Sequence, residues 1–471
     1  MSLIESLVPK SRFGFRTAHQ PFPVDTVLFT ALVAKIADTC EVGRDEVVES
    51  RSFSYRKNAG LNHPFFIEGH SYKDWISSLM FHLFSSEYSH AIRTDISDFY
   101  MRIYRHRLEN ILISLSGDAP TVRRIERFLS IWRGGQSFGL PVGTDACRFL
   151  AEMALNDVDM GLVSEDYRHS RYVDDIILLC KHGQDPYAIL AHLAQTLSSN
   201  EGLSLNTQKT IIKDWNEFSQ SFLDPSGEDE ESKEHWATEK LFHAAYGNEE
   251  LDSEALAVLM MKDLTKELEN ELMSEFWDMG HIRIILHAMR LVEDPKVSDY
   301  IRSNLARLVP FAKDVCLLIE SFHKKGIPGF ENLAGEVVDL LLSPRMRPLG
   351  ASRAWFLELG VRGVANFSNA DLKRLEALTE ILDVRQLMLL RSRLGDVNFF
   401  RNRKSRVSEI QSWAQPTFIF GARCLPKDEY LHWARSIKSR LQFPLAGLFV
   451  DWCMATHGAD PIDNGFVPER N

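Results

Sequence analysis

The sequence has little of what marks a secreted, zinc-binding or membrane protein. Its 471 residues include only six cysteines, which are scattered and form no Cys-x-x-Cys pair. That usage predicts reduced thiols and argues against a disulfide framework or a cysteine zinc site. The apolar runs are far shorter than the stretch of about 20 residues that a helix needs to cross a membrane. The first residues lack the basic start and the apolar stretch of a secretory signal. We therefore expect a cytoplasmic protein with no membrane partner.

The chain also lacks an excess of positive charge. Its 65 acidic and 54 basic side chains give a formal net charge of −11, which limits nonspecific binding of phosphates unless the charges are segregated. Residues 391–406 hold six basic residues against one acidic residue. Phe399 and Phe400 within this segment are candidates to stack on the bases of a single strand, with a solvated basic face as the alternative. Residues 224–236 open with an acidic run that predicts an exposed linker.

The strongest functional signal is the run Tyr172-Val173-Asp174-Asp175. Two adjacent acidic residues follow an aromatic residue and precede the apolar run 176–179. This pattern predicts two strands joined by a tight turn that carries the acids. Buried unpaired carboxylates are costly, so the acids need cations or a wet functional surface. Two Mg²⁺ ions would meet that need.

A third acidic residue for such a site lies in the β-prone run 91–100. Asp95 is placed where the predicted strand leaves the core, and Asp98 follows three positions later. Two-metal phosphoryl transfer needs a carboxylate from a neighbouring strand. Because Mg²⁺ takes few protein carboxylates and keeps several waters, Asp95 and Asp174 suit a pair of bridged ions. Helix capping is the alternative for Asp95 and the favoured interpretation of Asp98, since a helix is predicted near Phe99.

A glycine-rich loop between these two segments runs into a predicted helix. It has the pattern Gly139-x-Pro141-x-Gly143. Glycines let the backbone approach a base or a sugar closely, and proline stiffens the loop between them. Thr144 or Asp145 can cap the helix that follows.

In this order of motifs the chain resembles the reverse transcriptases over about residues 50–215. The resemblance implies Mg²⁺ as cofactor, as two ions with Mn²⁺ as an alternative, and deoxynucleoside triphosphates as substrates. It implies catalysis by Asp95, Asp174 and Asp175, and metal contacts by Asp95, Ile96 and Asp174. It implies nucleotide binding by Tyr100, Arg56, Gly139, Pro141, Gly143 and Lys209.

Three of these nucleotide-binding residues have a specific role in the resemblance. Tyr100, five positions after the first acid, would block a ribose 2′-hydroxyl and so select deoxynucleotides, unless it is only a packed palm residue. Lys209 would approach the triphosphate, where it can stabilise developing charge, with an exposed surface lysine as the alternative. Arg56 lies in a turn-rich hairpin and would reach the phosphates, unless it is merely solvated.

Beyond residue 236 the pattern changes to helices. An apolar stripe from Leu251 to Leu272 predicts one long helix. Further helices are predicted at 281–293, 296–308, 311–324, 330–342, 352–361, 369–382, 384–394, 427–441 and 444–456. Prolines recur at a spacing of one helix plus one turn, and pairs of such helices would stack as a HEAT-like solenoid, with an irregular bundle as the alternative.

The predicted fold class is α+β, with reverse-transcriptase fingers and palm followed by an all-α helical-repeat (HEAT-like) domain. The predicted domains are N-terminal helices and fingers at 1–90, the palm at 91–223, the acidic linker at 224–236 and the helical repeats at 237–471.

The chain has a large helical half, and no primer-gripping hairpin is recognisable between residues 211 and 236. In both features it resembles one branch of the family, the bacterial abortive-infection reverse transcriptases of the P2-like prophage type. That branch implies phage defence in the bacterial cytoplasm and a homo-oligomer. It also implies untemplated extension of single-stranded DNA from a protein hydroxyl, with the product covalently attached. Tyr55, Tyr72, Tyr88 and Tyr246 are open candidates for the priming residue, and none is singled out.

Two other functions compete with this hypothesis. One is a conventional RNA-templated reverse transcriptase, as in a retron, with a noncoding RNA as partner. The net charge of −11 weighs against it. The other is a catalytically idle scaffold that senses phage, against which the three acidic residues argue.

Overall fold

The computed structural model describes residues 3–44, 51–60, 64–80, 82, 85–223 and 263–458. The chain divides into two compact units, one with Met1–Ile4 and Ala18–Pro225, the other with Glu5–Thr17 and Ser226–Asn471. The predicted acidic linker, residues 224–236, lies outside the described residues, as does the first part of the predicted apolar stripe, residues 251–262. The domain limits drawn from the sequence stay predictions.

The strands of the described residues form a hairpin and a four-stranded sheet. They are β1 (Ile4–Pro9), β2 (Phe15–Gln20), β3 (Tyr88–Asp95), β4 (Arg168–Tyr172), β5 (Asp175–Lys181) and β6 (Ile211–Asp214). Strands β1 and β2 pair with each other, and the larger sheet has the order β4-β5-β3-β6 with antiparallel neighbours throughout. The predicted strand, turn and strand around Asp174 is confirmed, because Tyr172 and Asp175 pair directly across the turn.

The helices of the first unit cover both faces of this sheet. They are α1 (Pro23–Val42), α2 (Tyr72–Met80), α3 (Phe99–Arg102), α4 (Arg105–Ser116), α5 (Ala119–Trp132), α6 (Asp145–Ala154), α7 (Asn156–Ser164), α8 (Pro186–Thr196) and α9 (Trp215–Leu223). Ile176 and Leu178 of β5 pack into the core formed with α1, α4, α5 and α6. Ile177 and Leu179 point to the opposite face, where Trp75 of α2 and other aromatic residues bury them. A strand buried on both faces reads as a continuous apolar run, which is the pattern of residues 176–179.

The described part of the second unit consists of helices and short 3₁₀ segments beside residues of the β1-β2 hairpin. The α-helices are α10 (Leu264–Met273), α11 (Met279–Val292), α12 (Lys296–Ser303), α13 (Ala312–Lys324), α14 (Ala334–Leu341), α15 (Gly350–Val361), α16 (Asn369–Leu375), α17 (Ile381–Arg393), α18 (Val397–Arg403), α19 (Gln415–Gly421), α20 (Lys427–Ile437) and α21 (Ala446–Ala455). Two of them, α18 and α19, were not among the predicted helices. No helix of the described ranges has the length and apolar character to cross a bilayer.

Alternate helices of the second unit pack on one another. Helix α13 packs on α11 and on α15, α17 packs on α15 and on α19, and α21 packs on α19. On another row, α16 packs on α14. The odd-numbered helices from α11 to α21 thus pack on one another in sequence order, and the apolar residues from Leu264 to Leu390 form one continuous core.

A buried ion pair joins two helices of this unit. The Arg353 guanidinium of α15 donates to both carboxylate oxygens of Asp383 in α17, at 2.9 Å from Nε and 2.8 Å from Nη2. Arg353 is 2% exposed and Asp383 is 0% exposed. Arg353 also donates to the Met346 carbonyl at 2.7 Å. Arg353 Nη2 also lies 2.7 Å from the Glu380 carboxylate, which is 57% exposed. The pair with Asp383 is costly to break, because the buried guanidinium then keeps only this partly solvated carboxylate as a charged partner.

We therefore expect Asp383→Ala to destabilise the helical unit by about 3–5 kcal/mol. Asp339→Ala is the matched control, because Asp339 is bonded to Arg374 at 2.7 Å but keeps 71% of its side chain exposed. That exposed pair should contribute less than about 1 kcal/mol. Chemical denaturation followed by circular dichroism measures both. Equal losses in the two variants would contradict a special role for the buried pair.

Candidate active site

The acidic turn predicted from the sequence is a two-residue hairpin at one end of the sheet. Val173 and Asp174 connect β4 to β5, and Tyr172 pairs with Asp175. Val173 has a φ of 57°, which is unusual for a β-branched residue and marks a strained backbone. The hairpin therefore presents Asp174 from a turn and Asp175 from the first position of a strand.

Asp95 lies beside this turn because β3 is the neighbour of β5. The register sets Asp95 opposite Asp175, and the next backbone N–H, that of Ile96, donates to the Asp174 carbonyl at 3.2 Å. The structure thus brings together all three predicted catalytic acids, and Ile96, which follows Asp95 in the chain, is bonded through its backbone to Asp174. Asp98, in contrast, is exposed and stands at the N-cap of α3 without a capping bond from its side chain.

Three carboxyl groups in so small a space repel one another. Burial, together with the nearby carboxylates of Asp95 and Asp175, raises the pKa of Asp174 to about 7. Burial and the Asp95 carboxylate also raise the pKa of Asp175. The Lys209 ammonium forms an ion pair with Asp95 Oδ2. Burial lowers the pKa of Lys209, but the bond to Asp95 outweighs this, and the pKa is raised overall.

The donor atoms of this cluster fit a hard divalent cation. Asp95 Oδ1 is buried and has no hydrogen-bond partner, and oxygen ligands of this kind are what Mg²⁺ and Mn²⁺ prefer. A cation would also relieve the repulsion that raises the pKa of Asp174. Within the described ranges, however, no group of three acidic, histidine or cysteine side chains is arranged so that it could hold a metal ion together. Asp95 and Asp174 are the residues that would hold the ion.

The glycine-rich loop lies against the segment that follows Asp95. The Leu140 N–H donates to the Tyr100 carbonyl at 2.8 Å. Gly139 has a φ of 92°, and a Cβ there would meet the Met101 carbonyl at 3.2 Å, so only glycine fits this approach. Of the two predicted caps, Thr144 is the one that accepts a hydrogen bond, from the Cys147 N–H at 3.2 Å.

Tyr100 is half-buried near the acidic turn. Burial is the main cause that raises the pKa of its phenol, and the neighbouring groups include Tyr55, Glu152 and Asp174. Its ring packs against Phe99 with centroids 5.6 Å apart. The phenol is therefore neutral at all ordinary pH values, which suits a ring that packs against a sugar.

Arg56 is buried and paired with an acidic side chain rather than solvated. It is 4% exposed, and its guanidinium is bonded to the Glu41 carboxylate at 3.0 Å. The adjacent Lys57 is also buried and pairs with Asp38 at 3.1 Å. A solvated surface position for Arg56 is therefore wrong. Its predicted contact with nucleotide phosphates stays a prediction.

Two of the candidate priming tyrosines lie beside the acidic hairpin. The ring centroids of Tyr55 and Tyr172 are 6.4 Å apart, and those of Tyr72 and Tyr172 are 5.4 Å apart. Tyr72 is 41% exposed. Tyr88 is buried against Trp215, and Tyr246 lies outside the described residues.

A buried network of charged and hydroxyl groups beneath the turn was not predicted. It consists of Ser52, Ser54, Glu152, Asp159 and Arg171, each of which is at most 1% exposed. The signal that could have revealed it was present, since Arg171 is a charged residue directly before the acidic run and Glu152 lies in the helix after the glycine loop.

Comparison with known proteins identifies the domain that carries this site. The reverse transcriptase (RNA-dependent DNA polymerase) family matches residues 15–221. This part of the chain is a reverse transcriptase domain, so the predicted class of enzyme, a nucleotidyltransferase that acts as a DNA polymerase, is confirmed. Reverse transcriptase domains generally use divalent metal ions. A comparison with curated proteins gave no match.

Solved structures similar to this chain include telomerases of yeasts. Apo telomerase from Candida tropicalis has 12% identity and a TM-score of 0.36, over 75% of this chain and 68% of the telomerase chain. Telomerase from Candida albicans with a TWJ fragment of telomeric RNA has 12% identity and a TM-score of 0.32, over 80% of this chain and 65% of that one. The Candida tropicalis enzyme with such a fragment has 12% identity and a TM-score of 0.37, over 80% and 63%. In the last two cases the chain spans less than two thirds of the solved chain.

The raised pKa of Asp174 predicts a dependence of stability on pH. With a pKa of about 7 in the folded state, Asp174 keeps a proton that an unfolded aspartate loses above about pH 4. Because the folded state then binds more protons, stability falls as the pH rises from about 4 to 7. In EDTA, we expect the melting temperature of the wild type to fall more between about pH 5.5 and pH 8 than that of Asp174→Asn.

Differential scanning calorimetry measures this slope, and Asp98→Asn is the matched control because Asp98 is exposed. Added Mn²⁺ or Mg²⁺ should raise the melting temperature of the wild type and of the control at pH 8, and should raise that of Asp174→Asn less. If all three proteins show the same pH slope in EDTA, the carboxylates do not repel one another as described.

Proposed function

We propose that this protein is a Mg²⁺-dependent DNA polymerase of the reverse-transcriptase type that acts in abortive-infection defence against phage in the bacterial cytoplasm. It adds deoxynucleotides without a template and primes on its own polypeptide. In this proposal it is of the type carried by P2-like prophages, which its sequence resembles. The reverse transcriptase domain supports the polymerase part of the proposal, and the remaining parts rest on the resemblance in the sequence.

One observation carries the polymerase function. The register of β3 and β5 sets Asp95 opposite Asp175, with Asp174 in the adjoining turn. Carboxylates from two neighbouring strands are what phosphoryl transfer by two metal ions needs. Bound divalent cations would activate the attacking hydroxyl and neutralise charge on the triphosphate.

The other residues of the site bind and orient the substrates. Lys209 keeps 57% of its side chain exposed, so its ammonium can reach a triphosphate and stabilise charge on the leaving pyrophosphate. The loop from Gly139 to Gly143 is bonded to the Tyr100 carbonyl, which holds the Tyr100 backbone beside the loop. A ring packed under the sugar leaves no room for a 2′-hydroxyl, so the site selects deoxynucleotides.

The helical second unit is, in this proposal, a HEAT-like repeat domain. The packing of alternate helices from α11 to α21 supports it, because stacked helix pairs place each helix next to those two positions away. We propose a homo-oligomer for the assembled protein and a single-stranded DNA that stays covalently attached as its product.

Priming by a tyrosine requires a phenol that can approach the acidic turn. Tyr55 and Tyr72 both lie beside Tyr172, and Tyr72 is the more exposed of the two. A tyrosine oxygen can replace a primer hydroxyl as nucleophile, since a divalent cation can lower the pKa of either. The priming residue itself is not assigned.

Synthesis with and without nucleic acid tests the proposal. The full chain is incubated with labelled deoxynucleotides and Mg²⁺, alone or with a DNA primer on an RNA template, and resolved on a denaturing gel. We expect label that remains with the wild-type protein without added nucleic acid, and loss of at least about 100-fold in Asp174→Ala. Asp98→Ala, with its exposed side chain, serves as the control and should keep activity.

Two other outcomes separate the alternatives. Product that forms only with primer and template favours a conventional templated reverse transcriptase. Among the described residues 211–223, a strand leads directly into helix α9 without a primer-gripping hairpin, which weighs against this alternative. If neither the wild type nor Asp174→Ala incorporates nucleotide in either condition, the protein is better explained as a catalytically idle scaffold that senses phage.

Selection of the sugar is tested at Tyr100. We expect Tyr100→Ala to raise the ratio of ribonucleotide to deoxynucleotide incorporation by about 10-fold or more, because the ring no longer excludes a 2′-hydroxyl. Tyr104→Ala is the matched control, since Tyr104 is also a half-buried ring and packs instead on Phe138 at 5.0 Å. Steady-state kinetics with each nucleotide class give the ratio. A ratio that changes equally in both variants would contradict the assignment.

A further inference from the structure

We propose that buried Ser54, Glu152 and Arg171 act as positioning residues, which hold the turn between β4 and β5 so that Asp174 faces Asp95. This inference rests on the proposed polymerase function, because it concerns the same carboxylates. None of the three side chains needs to touch the substrate. They act through the backbone of Val173.

Val173 is the point at which the turn needs external support. Its φ of 57° is disfavoured for a β-branched side chain. A conformation of this kind persists only where the surrounding structure enforces it. Glycine or asparagine would adopt it more readily, so the sequence alone does not select this turn. The enforcing contacts must come from elsewhere in the fold.

Both backbone polar groups of Val173 are held by side chains. The Val173 N–H donates to Ser54 Oγ at 2.7 Å, and the Val173 carbonyl accepts from Arg171 Nη1 at 2.9 Å. Ser54 is 0% exposed and Arg171 is 1% exposed, so water does not compete for either bond. These two bonds fix the orientation of the Val173 backbone, and they thereby fix the position of the Asp174 backbone that follows it.

Glu152 fixes both of these side chains. The Ser54 hydroxyl donates its single hydrogen to Glu152 Oε1, which leaves an oxygen lone pair to accept from Val173. Arg171 Nη1 lies 2.9 Å from Glu152 Oε2. One carboxylate therefore sets the direction of both bonds to the turn.

Asp159 neutralises the second side of the guanidinium. It accepts from Arg171 Nη2 at 2.7 Å and from Nε at 3.1 Å. With Glu152 and Asp159 on either side, Arg171 keeps a rigid position in a dry environment. The bonds to the strained residue thus depend on an ionic network rather than on flexible surface groups.

Two serines on one short segment allow a positioning role of the network to be distinguished from a role in stability alone. Ser52 Oγ donates to Glu152 Oε2 at 2.9 Å and accepts from Arg171 Nη2 at 3.1 Å. It is as buried as Ser54 and bonds to the same network. Of the two, only Ser54 bonds to Val173. Ser52→Ala is therefore the matched control for Ser54→Ala.

The test compares the full-length wild type, Ser54→Ala, Ser54→Thr and Ser52→Ala. In the polymerase assay, we expect Ser54→Ala to lower kcat by about 10- to 100-fold, because displaced catalytic groups lose alignment, while the KM for nucleotide stays within about twofold. Ser54→Thr keeps the hydroxyl and should recover most of the rate. Ser52→Ala should stay near the wild-type kcat, although its melting temperature falls by as much as that of Ser54→Ala.

Binding of Mn²⁺, measured by electron paramagnetic resonance without nucleotide, gives a readout that does not require turnover. We expect a Kd several-fold weaker in Ser54→Ala and unchanged in Ser52→Ala. If the two alanine variants have equal Kd and equal kcat, the network only stabilises the fold and the inference is wrong. If the wild type binds Mn²⁺ but never incorporates nucleotide, the proposed function fails, and the Kd values alone decide the positioning role.

Discussion

The central constraint on the first unit is that the register of its strands places acidic side chains next to one another. Asp95 and Asp175 are partners across β3 and β5, and like charges directly opposite each other destabilise a sheet. A slip of one residue would turn these side chains to the other face. The apolar residues between 176 and 179 are buried on alternate faces, so a change of register would exchange the side chains that fill the two cores and disrupt the packing of both. Hydrophobic packing thus enforces an electrostatically unfavourable arrangement, which Lys209, protonation or a cation must relieve.

A second layer of charge works in the opposite way, because it is complementary. Arg171 lies between the Glu152 and Asp159 carboxylates, at 2.9 Å and 2.7 Å, and all three are at most 1% exposed. Such a network adds little net stability compared with apolar packing, but it defines directions that apolar contacts do not. Buried Arg44 lies 3.7 Å from Asp159 and supplies a second positive charge. The repelling acids of the site therefore rest on a buried cluster in which two guanidinium groups face two carboxylates.

Local patterns were sufficient to predict much of this site. The strands around Asp174 follow from the apolar run beside the turn, and a cap at Thr144 or Asp145 follows from their place before a helix, although only the structure selects Thr144. Arg56 could not be placed, because its partner Glu41 lies on a helix 15 residues earlier and only the fold brings them together. Helices α18 and α19 were missed because each has only seven residues, too few for a clear apolar period.

The basic run between residues 391 and 406, which stands out in the sequence, is partly paired with acidic residues in the structure. Of the basic residues between 391 and 406, Arg391 pairs with Glu376 and Asp396, while Arg401 and Lys404 share Glu429. Phe400 is buried, and the Phe399 ring has guanidinium groups of Arg391 and Arg403 within 4.5 Å and 4.1 Å of its centroid. Phe400 therefore cannot stack on a base, and the Phe399 ring is already in contact with two guanidinium groups. Acidic side chains of the same unit thus pair with three of the six basic residues in this run, so less of its charge is available to phosphates than the sequence indicates.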